Sequence, residues 1–340
     1  MRKSTHRVTI KGLFAIFLCF TGRAAAQSND VAIQQIGHLI TDALFYCDQY
    51  VTPATDAAIY QASSGWVTSP KKRELWDVSL GLHTNVFFTP GRDRQFYIEN
   101  SDFEFFRIEE GTSATVPSSL GSDQQVHLVG TLGDSPVTLE TPEGMNMEVV
   151  AYPYLQASVA LWGGTELIAK YSTHVKLKKS EYQVYGFGLK HNLSQYFPSI
   201  ELNNIYFAVL AGYANEDVSF SFLDITTDYG TLGINTINGI VDTWQLQLNG
   251  SKGFGRWEAM GGFIVNTSHV KYRVSGEKGT IEEILPLQDV LNQRMESIYK
   301  TRVNYIGEAA IKYNLGKFNI QTIFAFGKFA NTNISIYYTF

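Results

Sequence analysis

Apolar and polar residues alternate with a period of two in many stretches that follow residue 75. In residues 76–88, "WDVSLGLHTNVFF", the even positions are mostly apolar and the odd positions mostly polar. The same alternation recurs in "ELIAKYSTHVKL", "TWQLQLNG" and "RVNYIGEAAIKYNL". Successive side chains of a β-strand point to opposite faces, so each stretch predicts a strand with one apolar and one polar face.

A soluble β-sandwich and an outer-membrane β-barrel both contain such strands, but the barrel turns the apolar face outward. Three features favour the barrel. The strands exceed the five or six residues typical of globular proteins, and short connections alternate with long ones. Aromatic residues also lie near the strand ends, as in the interfacial girdles of membrane barrels. These aromatic pairs are Trp76 and Phe88, Tyr182 and Tyr196, Trp257 and Tyr272, and Tyr299 and Tyr313.

The predicted fold class is therefore all-β, an antiparallel transmembrane β-barrel of about 12 strands, with a range of 10–14. Ten strands are predicted near residues 76–89, 150–162, 165–177, 181–194, 203–214, 240–252, 256–272, 299–315, 318–328 and 332–340. Segments 95–108 and 124–133 are predicted to add a pair, and residues 218–225 to extend a hairpin. Residues 90–149, 214–238 and 273–298 are predicted to form the long loops on the outward side.

The N-terminal region has the layout of a cleaved secretory signal. Basic residues precede the apolar run "GLFAIFLCF", and "AAA" precedes Gln27. We therefore expect residues 1–26 to be a signal peptide. Removal of its five basic residues would take the net charge from −5 to −10, which argues against a nucleic-acid partner. The expected location is the outer membrane of a Gram-negative cell, in contact with outer-membrane lipids.

Residues 27–75 do not alternate and are predicted to form a separate segment ahead of the barrel at 76–340. Apolar residues at three- and four-residue intervals predict an amphipathic helix that ends before Pro53. The residues that follow are small and turn-forming. Such a segment would fit inside the barrel as a plug, where irregular backbone is tolerated at membrane depth. A periplasmic helix with a linker is the alternative.

The plug-like segment, "WDVSLGLHTNVFF" and "GFGLKHNLSQYFP" at 186–198 together resemble the FadL-type outer-membrane transporters of long-chain fatty acids and other hydrophobic compounds. The likeness is to a branch of that family whose function is not assigned. The resemblance implies passive transport of hydrophobic small molecules past a plug, with Pro53, Tyr60 and Gly65 as plug or gate candidates. The family's plug usually carries an Asn-Pro-Ala element, where this chain has "YQASSG".

Two further features concern the wall of the barrel and its last strand. Gly186 and Gly188 interrupt a strand, and glycine inside a strand often marks a bulge or kink, which predicts a kinked wall. The last seven residues, "ISIYYTF", resemble the terminal signal that the barrel assembly machinery recognises in its clients. The signal residues are Ile336, Tyr338 and Phe340.

The sequence predicts no enzyme, no cofactor and no metal site. Ser268 and His269 are adjacent and so lie on opposite faces of a strand, whereas Ser172 and His174 share a face but have no identifiable third partner. A phospholipase of the outer membrane is therefore the less favoured reading. An accessory barrel without transport activity, such as a secretion-system shuttle or a surface adhesin, is the main alternative.

Overall fold

Ten strand positions close into an antiparallel barrel in the computed structural model, which describes residues 25–133, 135–177, 180–221, 226–227, 230–231, 233–277 and 286–340. Residues 1–24 of the predicted signal peptide lie outside this range. The barrel strands are β1 (Val78–Phe88), β2 (Val149–Ala160), β3 (Thr165–Tyr171, continued by Val175–Leu177), β4 (Ser180–Asn192), β5 (Ile205–Ser221), β6 (Thr236–Phe254), β7 (Trp257–Ser275), β8 (Lys300–Leu315), β9 (Phe318–Phe326) and β10 (Ala330–Thr339).

Each barrel strand pairs with its neighbours in the chain, and β10 pairs with β1 to close the ring. Closure gives each barrel strand a partner on both sides, which matters because an unpaired backbone group in lipid costs several kcal/mol. Toward the loop end, residues 149–154 of β2 and Val175–Leu177 of β3 pair on one side only. All ten of the individually predicted strands are present. The count of about 12 is too high, although ten lies within the predicted range.

The two segments that were predicted as an extra pair, 95–108 and 124–133, do not enter the barrel. They lie in the connection between β1 and β2, which forms two small sheets. Their strands are Gln95–Glu99 with Ser113–Pro117, and Arg107–Ile108 with His127–Leu132 and Ser135–Glu140. The physical reason is that β1 pairs with β2 in one continuous register, from Val78 opposite Val159 to Phe88 opposite Val149, so no edge remains for an inserted pair.

The apolar faces of the strands point outward, as predicted. Leu80, Leu246 and Ile311 are 48%, 59% and 51% exposed, whereas Gln247 on the opposite face is fully buried. Exposed aromatic residues form a band near each end of the barrel. One band contains Trp76, Trp162, Tyr196, Phe254, Trp257, Phe318 and Phe340, and the other contains Phe88, Tyr171, Tyr185, Trp244, Tyr299, Tyr305 and Phe326. An apolar belt between two aromatic bands is the surface of an outer-membrane barrel.

The two ends of the barrel differ in their connections. One end, which we call the turn end, has the connections 161–164, 193–204, 255–256 and 316–317. The opposite end, the loop end, carries the connections 89–148, 222–235 and 276–299. The predicted long loops therefore share one end. Strands β5 and β6 extend further toward it than predicted, and residues 222–225 of the predicted hairpin extension lie outside the described residues.

Helix α1 (Ala25–Ser63) is continuous through Pro53, so the prediction that it ends before this proline is wrong. Proline removes one helical hydrogen bond and crowds the preceding turn. The residues beyond it, "ATDAAIYQA", include four alanines, which favour helix strongly, and this part is packed against the barrel wall. The other helices are α2 (Pro198–Glu201) and α3 (Leu287–Met295). Among the described helices, none has the length and apolar character needed to cross a membrane.

The outward face can be tested with one charge at two depths. We expect Leu246→Arg to destabilise the refolded barrel by about 2–4 kcal/mol, because arginine near the bilayer midplane is costly, and Leu315→Arg at the turn-end rim by only about 0–1 kcal/mol. Unfolding titrations in lipid vesicles measure both. Equal losses at the two positions would contradict the depth assignment. Gln247→Arg is not a suitable inner control, because Gln247 is buried and hydrogen-bonded to Glu308.

Candidate functional site: the occupied lumen

The chain that precedes β1 runs through the interior of the barrel. The first half of α1 contacts the loop-end connection, where Tyr50 donates a hydrogen bond to the backbone carbonyl of Glu143 at 2.6 Å. The second half lies among the strands, and Thr55 and Val51 pack against Gly239 of β6. Beyond the helix the chain is irregular and reaches the turn end at Trp76. The backbone N–H of Trp76 donates a hydrogen bond to the Ala160 carbonyl at 2.9 Å. We call residues 61–70 the lumen segment.

Side chains of the wall donate hydrogen bonds to the backbone carbonyls of the lumen segment. The pairs are Asn85 to Gln61 (3.3 Å), Lys170 to Ala62 (3.3 Å) and Ser64 (2.7 Å), Gln156 to Trp66 (3.2 Å), Gln321 to Val67 (3.0 Å), Tyr337 to Thr68 (3.2 Å), Lys190 to Ser69 (2.7 Å) and Asn192 to Pro70 (2.7 Å). The donors come from six strands around the barrel. Buried backbone carbonyls need hydrogen-bond donors. In a helix or sheet these donors are backbone N–H groups, whereas here they are side chains of the barrel wall.

Trp66 lies in the lumen against the wall formed by β3, β4 and β5, and it is fully buried. Its indole N–H donates to the Ala62 carbonyl at 2.8 Å, and the Lys170 ammonium lies 4.1 Å from the ring centroid, within the range of a cation–π contact. A Cβ at Gly186 or Gly188 would lie 3.0 or 3.1 Å from the ring. The strand pairing is continuous through both glycines, so no bulge interrupts the strand there. The two glycines make room for Trp66.

Charged side chains surround the lumen segment at mid-depth. Lys170 interacts electrostatically with the carboxylates of Glu216 and Glu308. Glu308 accepts hydrogen bonds from the Gly65 N–H at 3.2 Å and from Gln247 at 2.6 Å, and Glu216 accepts one from the Tyr182 hydroxyl at 3.1 Å. Buried charges are retained only where they have such partners. The lumen segment therefore completes the hydrogen bonding of the wall, as the wall completes that of the segment.

Two buried carboxylates with cationic partners lie closer to the turn end. Lys190 contacts Glu166 at 2.5 Å, and Arg73 binds the other oxygen of the same carboxylate at 3.1 Å. Lys312 lies 3.3 Å from Oε2 of Glu258, whose Oε1 accepts hydrogen bonds from Ser69 at 2.8 Å and Ser251 at 2.7 Å. Both carboxylates are thus linked to the chain that leaves the lumen.

The loop half of the lumen is mainly apolar. Its wall is lined by Phe87, Val150, Tyr152, Val184, Val218, Val241, Val270 and Phe329, which pack with Val51, Ala54, Ala58 and Ile59 of α1 in one core cluster. The absence of a side chain at Gly239 lets the helix lie close to the wall, since a Cβ there would approach Thr55 to 2.5 Å. Ion pairs also join this part of α1 to the wall: Asp48 with Lys300 (2.5 Å), and Asp56 with Arg302 (3.0 Å) and Lys328 (2.5 Å). The lumen is therefore divided into a mainly apolar loop half, filled by helix, and a polar turn half, filled by irregular chain.

The structure places all three plug candidates inside the barrel. Tyr60 is buried, accepts a hydrogen bond from the Lys328 N–H at 2.7 Å and packs edge-on against Phe329. Gly65 has a φ of +76°, and a Cβ there would approach the Tyr154 hydroxyl to 2.6 Å, so only glycine fits. Pro53 is partly buried within α1.

The other residues singled out in the sequence lie away from the lumen segment. Ile336 and Phe340 are exposed on the outer surface, and the Phe340 N–H donates to the Val78 carbonyl at 2.9 Å. Tyr338 is partly buried and contacts the Phe340 ring edge-on. Ser268 and His269 take opposite faces: the serine bonds Thr243 in the interior and the histidine bonds Thr301 outside.

Ser172 and His174 also lie apart from any assembled reactive group. Ser172 is buried, and its hydroxyl accepts a hydrogen bond from the Val184 N–H at 2.9 Å. His174 is exposed in the interruption of β3. β3 is interrupted at residues 172–174, so the serine and the histidine do not share a strand face as the alternation predicted.

Sequence reasoning missed Trp66, which lies in the segment without alternation and so carries no periodic signal. It also did not single out Lys170 and Glu308, although both stand on the polar faces of predicted strands. Charged side chains on the lumen face occur in water-filled barrels as well as in occupied ones. Neither position therefore distinguishes an occupied lumen in the sequence.

The fold and the surface define the class of this protein as an outer-membrane-type β-barrel whose lumen is occupied by its own chain. The sequence model of a family of unknown function, DUF6588, matches residues 1–340, so the chain belongs to this family. No match was found among the curated proteins.

Solved outer-membrane structures show distant likeness. The translocator domain of the autotransporter NalP from Neisseria meningitidis is 10% identical with a TM-score of 0.33, over 85% of this chain and 98% of that chain. The toluene transporter TbuX of Ralstonia pickettii is 9% identical with a TM-score of 0.22, over 83% and 97%. A FadL homologue of Pseudomonas aeruginosa is 7% identical with a TM-score of 0.26, over 78% and 90%. TM-scores this low indicate neither a shared substrate nor a shared mechanism.

Proposed function

We propose that this protein resides in the outer membrane and passively transports hydrophobic small molecules, such as fatty acids, when the segment 28–75 shifts within the lumen. The observation that carries the proposal is the two-part lumen. Its apolar loop half matches the chemistry of an apolar ligand, which would take the place of the Ala-rich face of α1. Its polar turn half holds the lumen segment by hydrogen bonds that water can replace.

The nature of these contacts favours displacement over permanent packing. A permanently filled lumen is most simply stabilised by apolar side chains, since a buried ion pair is often no better than a hydrophobic replacement of the same volume. Here Lys170, Lys190 and Glu308 bind the backbone of the lumen segment. Water in the opened channel would hydrate these charged groups once the segment moved.

The proposed plug predicts a conductance change. We expect a barrel lacking residues 28–65 to show a higher single-channel conductance in planar bilayers, because the helix and half of the lumen segment are removed. A deletion of residues 28–40 is the matched control, since these residues lie at the loop end and their loss leaves the lumen filled. The electrophoretic shift of the folded barrel confirms that both variants are intact.

Ligand binding is tested separately on the purified full chain. Native mass spectrometry with added long-chain fatty acids should show bound ligand, and a ligand-free spectrum together with unchanged conductance of the 28–65 deletion would contradict transport. The proposed function is not catalytic, and neither a cofactor nor a metal takes part in it.

The alternative is an accessory barrel, such as a secretion-system shuttle or a surface adhesin. The observation in its favour is the connection 89–148, which folds into two small sheets. The two sheets form a folded surface outside the barrel at the loop end. Wild-type uptake of hydrophobic compounds in cells without the protein would favour this alternative over transport.

A further inference from the structure

The direction in which the chain passes through the lumen is set by contacts at the loop end. The Asp42 carboxylate, which is buried, accepts hydrogen bonds from three successive backbone N–H groups, those of Glu104 (2.7 Å), Phe105 (2.8 Å) and Phe106 (2.8 Å). Phe45 packs edge-on against Phe103. All these partners belong to the connection between β1 and β2, so the first half of α1 lies at the loop end.

The opposite end of the same segment lies at the turn end. The Lys71 ammonium lies 4.9 Å from the centroid of the Tyr206 ring, at the start of β5. Trp76 packs edge-on against Trp162, in the turn between β2 and β3, with the ring centroids 5.1 Å apart. Between these two ends the chain traverses the whole lumen.

The connections indicate which end faces outward. In outer-membrane barrels the periplasmic turns are short and the extracellular loops are long, so the loop end faces the cell exterior. A chain exported through the inner membrane begins its outer-membrane assembly in the periplasm. The part of α1 at the loop end has therefore crossed the outer membrane. The chain that follows it still occupies the lumen, which indicates that the lumen was its route.

We propose that the barrel threads its own α1 through the lumen and displays residues 27–50 at the cell surface. This inference rests on the outer-membrane location that is part of the proposed function, and it does not depend on transport of a small molecule. The displayed helix and the connection 89–148 then form one extracellular unit, joined by the Asp42 contacts.

The lumen has the chemistry that threading needs. Its wall binds backbone carbonyls of the lumen segment. Every residue has a backbone carbonyl, so the wall can bind a passing chain whatever its side chains are. Trp66 is the bulkiest side chain of the lumen segment and fits only beside Gly186 and Gly188, so it stops the chain at this depth. At the surface, the Asp42 carboxylate holds the helix in place.

Single-cysteine labelling of intact cells tests the proposal. The natural Cys47 is buried, and this burial raises the pKa of its thiol to about 12, so its background reactivity is low; Cys47→Ser removes it altogether. Three exposed positions are compared with a membrane-impermeant maleimide: Gln34→Cys in α1, Arg92→Cys in the loop-end connection and Lys72→Cys at the turn end. We expect the first two to label in intact cells and the third only after permeabilisation of the outer membrane.

The three positions separate the possible failures. If Arg92→Cys labels in intact cells and Gln34→Cys labels only after permeabilisation, the threading proposal is overturned while the outer-membrane location stands. If none of the three positions labels in intact cells, the outer-membrane location is wrong, and the proposed function fails with it. Labelling of Lys72→Cys alone would show an inverted barrel and would likewise overturn the inference.

Discussion

Trp66→Ala is expected to cost about 3–5 kcal/mol of unfolding free energy and to raise the single-channel conductance of the barrel. The cost is that of removing a fully buried tryptophan and leaving a cavity. The cavity would lie in the lumen beside Gly186 and Gly188, which have no side chains that could fill it. Urea titration of the refolded protein measures the first effect, and planar-bilayer recording measures the second.

The control is Trp162→Ala, which removes the same side chain from the turn-end aromatic band, where it is 67% exposed. We expect a smaller loss of stability there and no change in conductance. Equal effects of the two substitutions would show that Trp66 does not close the lumen. A loss of stability without a conductance change would assign Trp66 to packing alone.

Lys312→Met is expected to destabilise the barrel by about 3–5 kcal/mol, because it leaves a buried carboxylate without its charged partner. Glu258 is fully buried, and Lys312 is the cation that lies 3.3 Å from its Oε2. The two hydrogen bonds from Ser69 and Ser251 reach only Oε1. Methionine keeps most of the volume of the lysine side chain, so the expected loss arises from the charge.

The double variant Lys312→Met, Glu258→Gln tests that interpretation. Neutralising the carboxylate should recover most of the stability that Lys312→Met loses, since both partners are then uncharged. If the two single losses simply add in the double variant, the residues are not coupled and the ion pair is not what stabilises this part of the lumen. The same urea titration measures all three variants.

The prediction of the barrel from the sequence rests on a local property. Alternation at Leu80, Leu246 and Ile311 fixes which face of each strand is apolar, and a strand in lipid can only turn that face outward. The positions of the ten strands and their outward faces were predicted from this alternation. The total number of barrel strands was not, because residues 95–108 and 124–133 also have strand-forming composition. Alternation does not say which strand pairs with which.

The candidate site was less predictable. The helical period of residues 33–47 predicted α1, but its extension beyond Pro53 depends on packing against Gly239 and the rest of the wall. Gly186 and Gly188 were conspicuous in the sequence, and a kink was the local interpretation of them. Only the position of Trp66 showed that they make room for a side chain more than 100 residues away along the chain.

The sequence by itself determined the strands and their lipid-facing surface, because each depends on residues close together in the chain. The aromatic bands were predicted only in part: Trp76, Phe88, Trp257 and Tyr299 lie in them, whereas Tyr182 and Tyr272 are buried in the interior. The tertiary structure decided the closure at ten strands, the occupation of the lumen and the partners of Lys170, Glu308 and Glu258. These depend on where distant segments meet. A polar inward face fits water, a ligand or a peptide backbone equally well, and the hydrogen bonds to the lumen segment select the last of these.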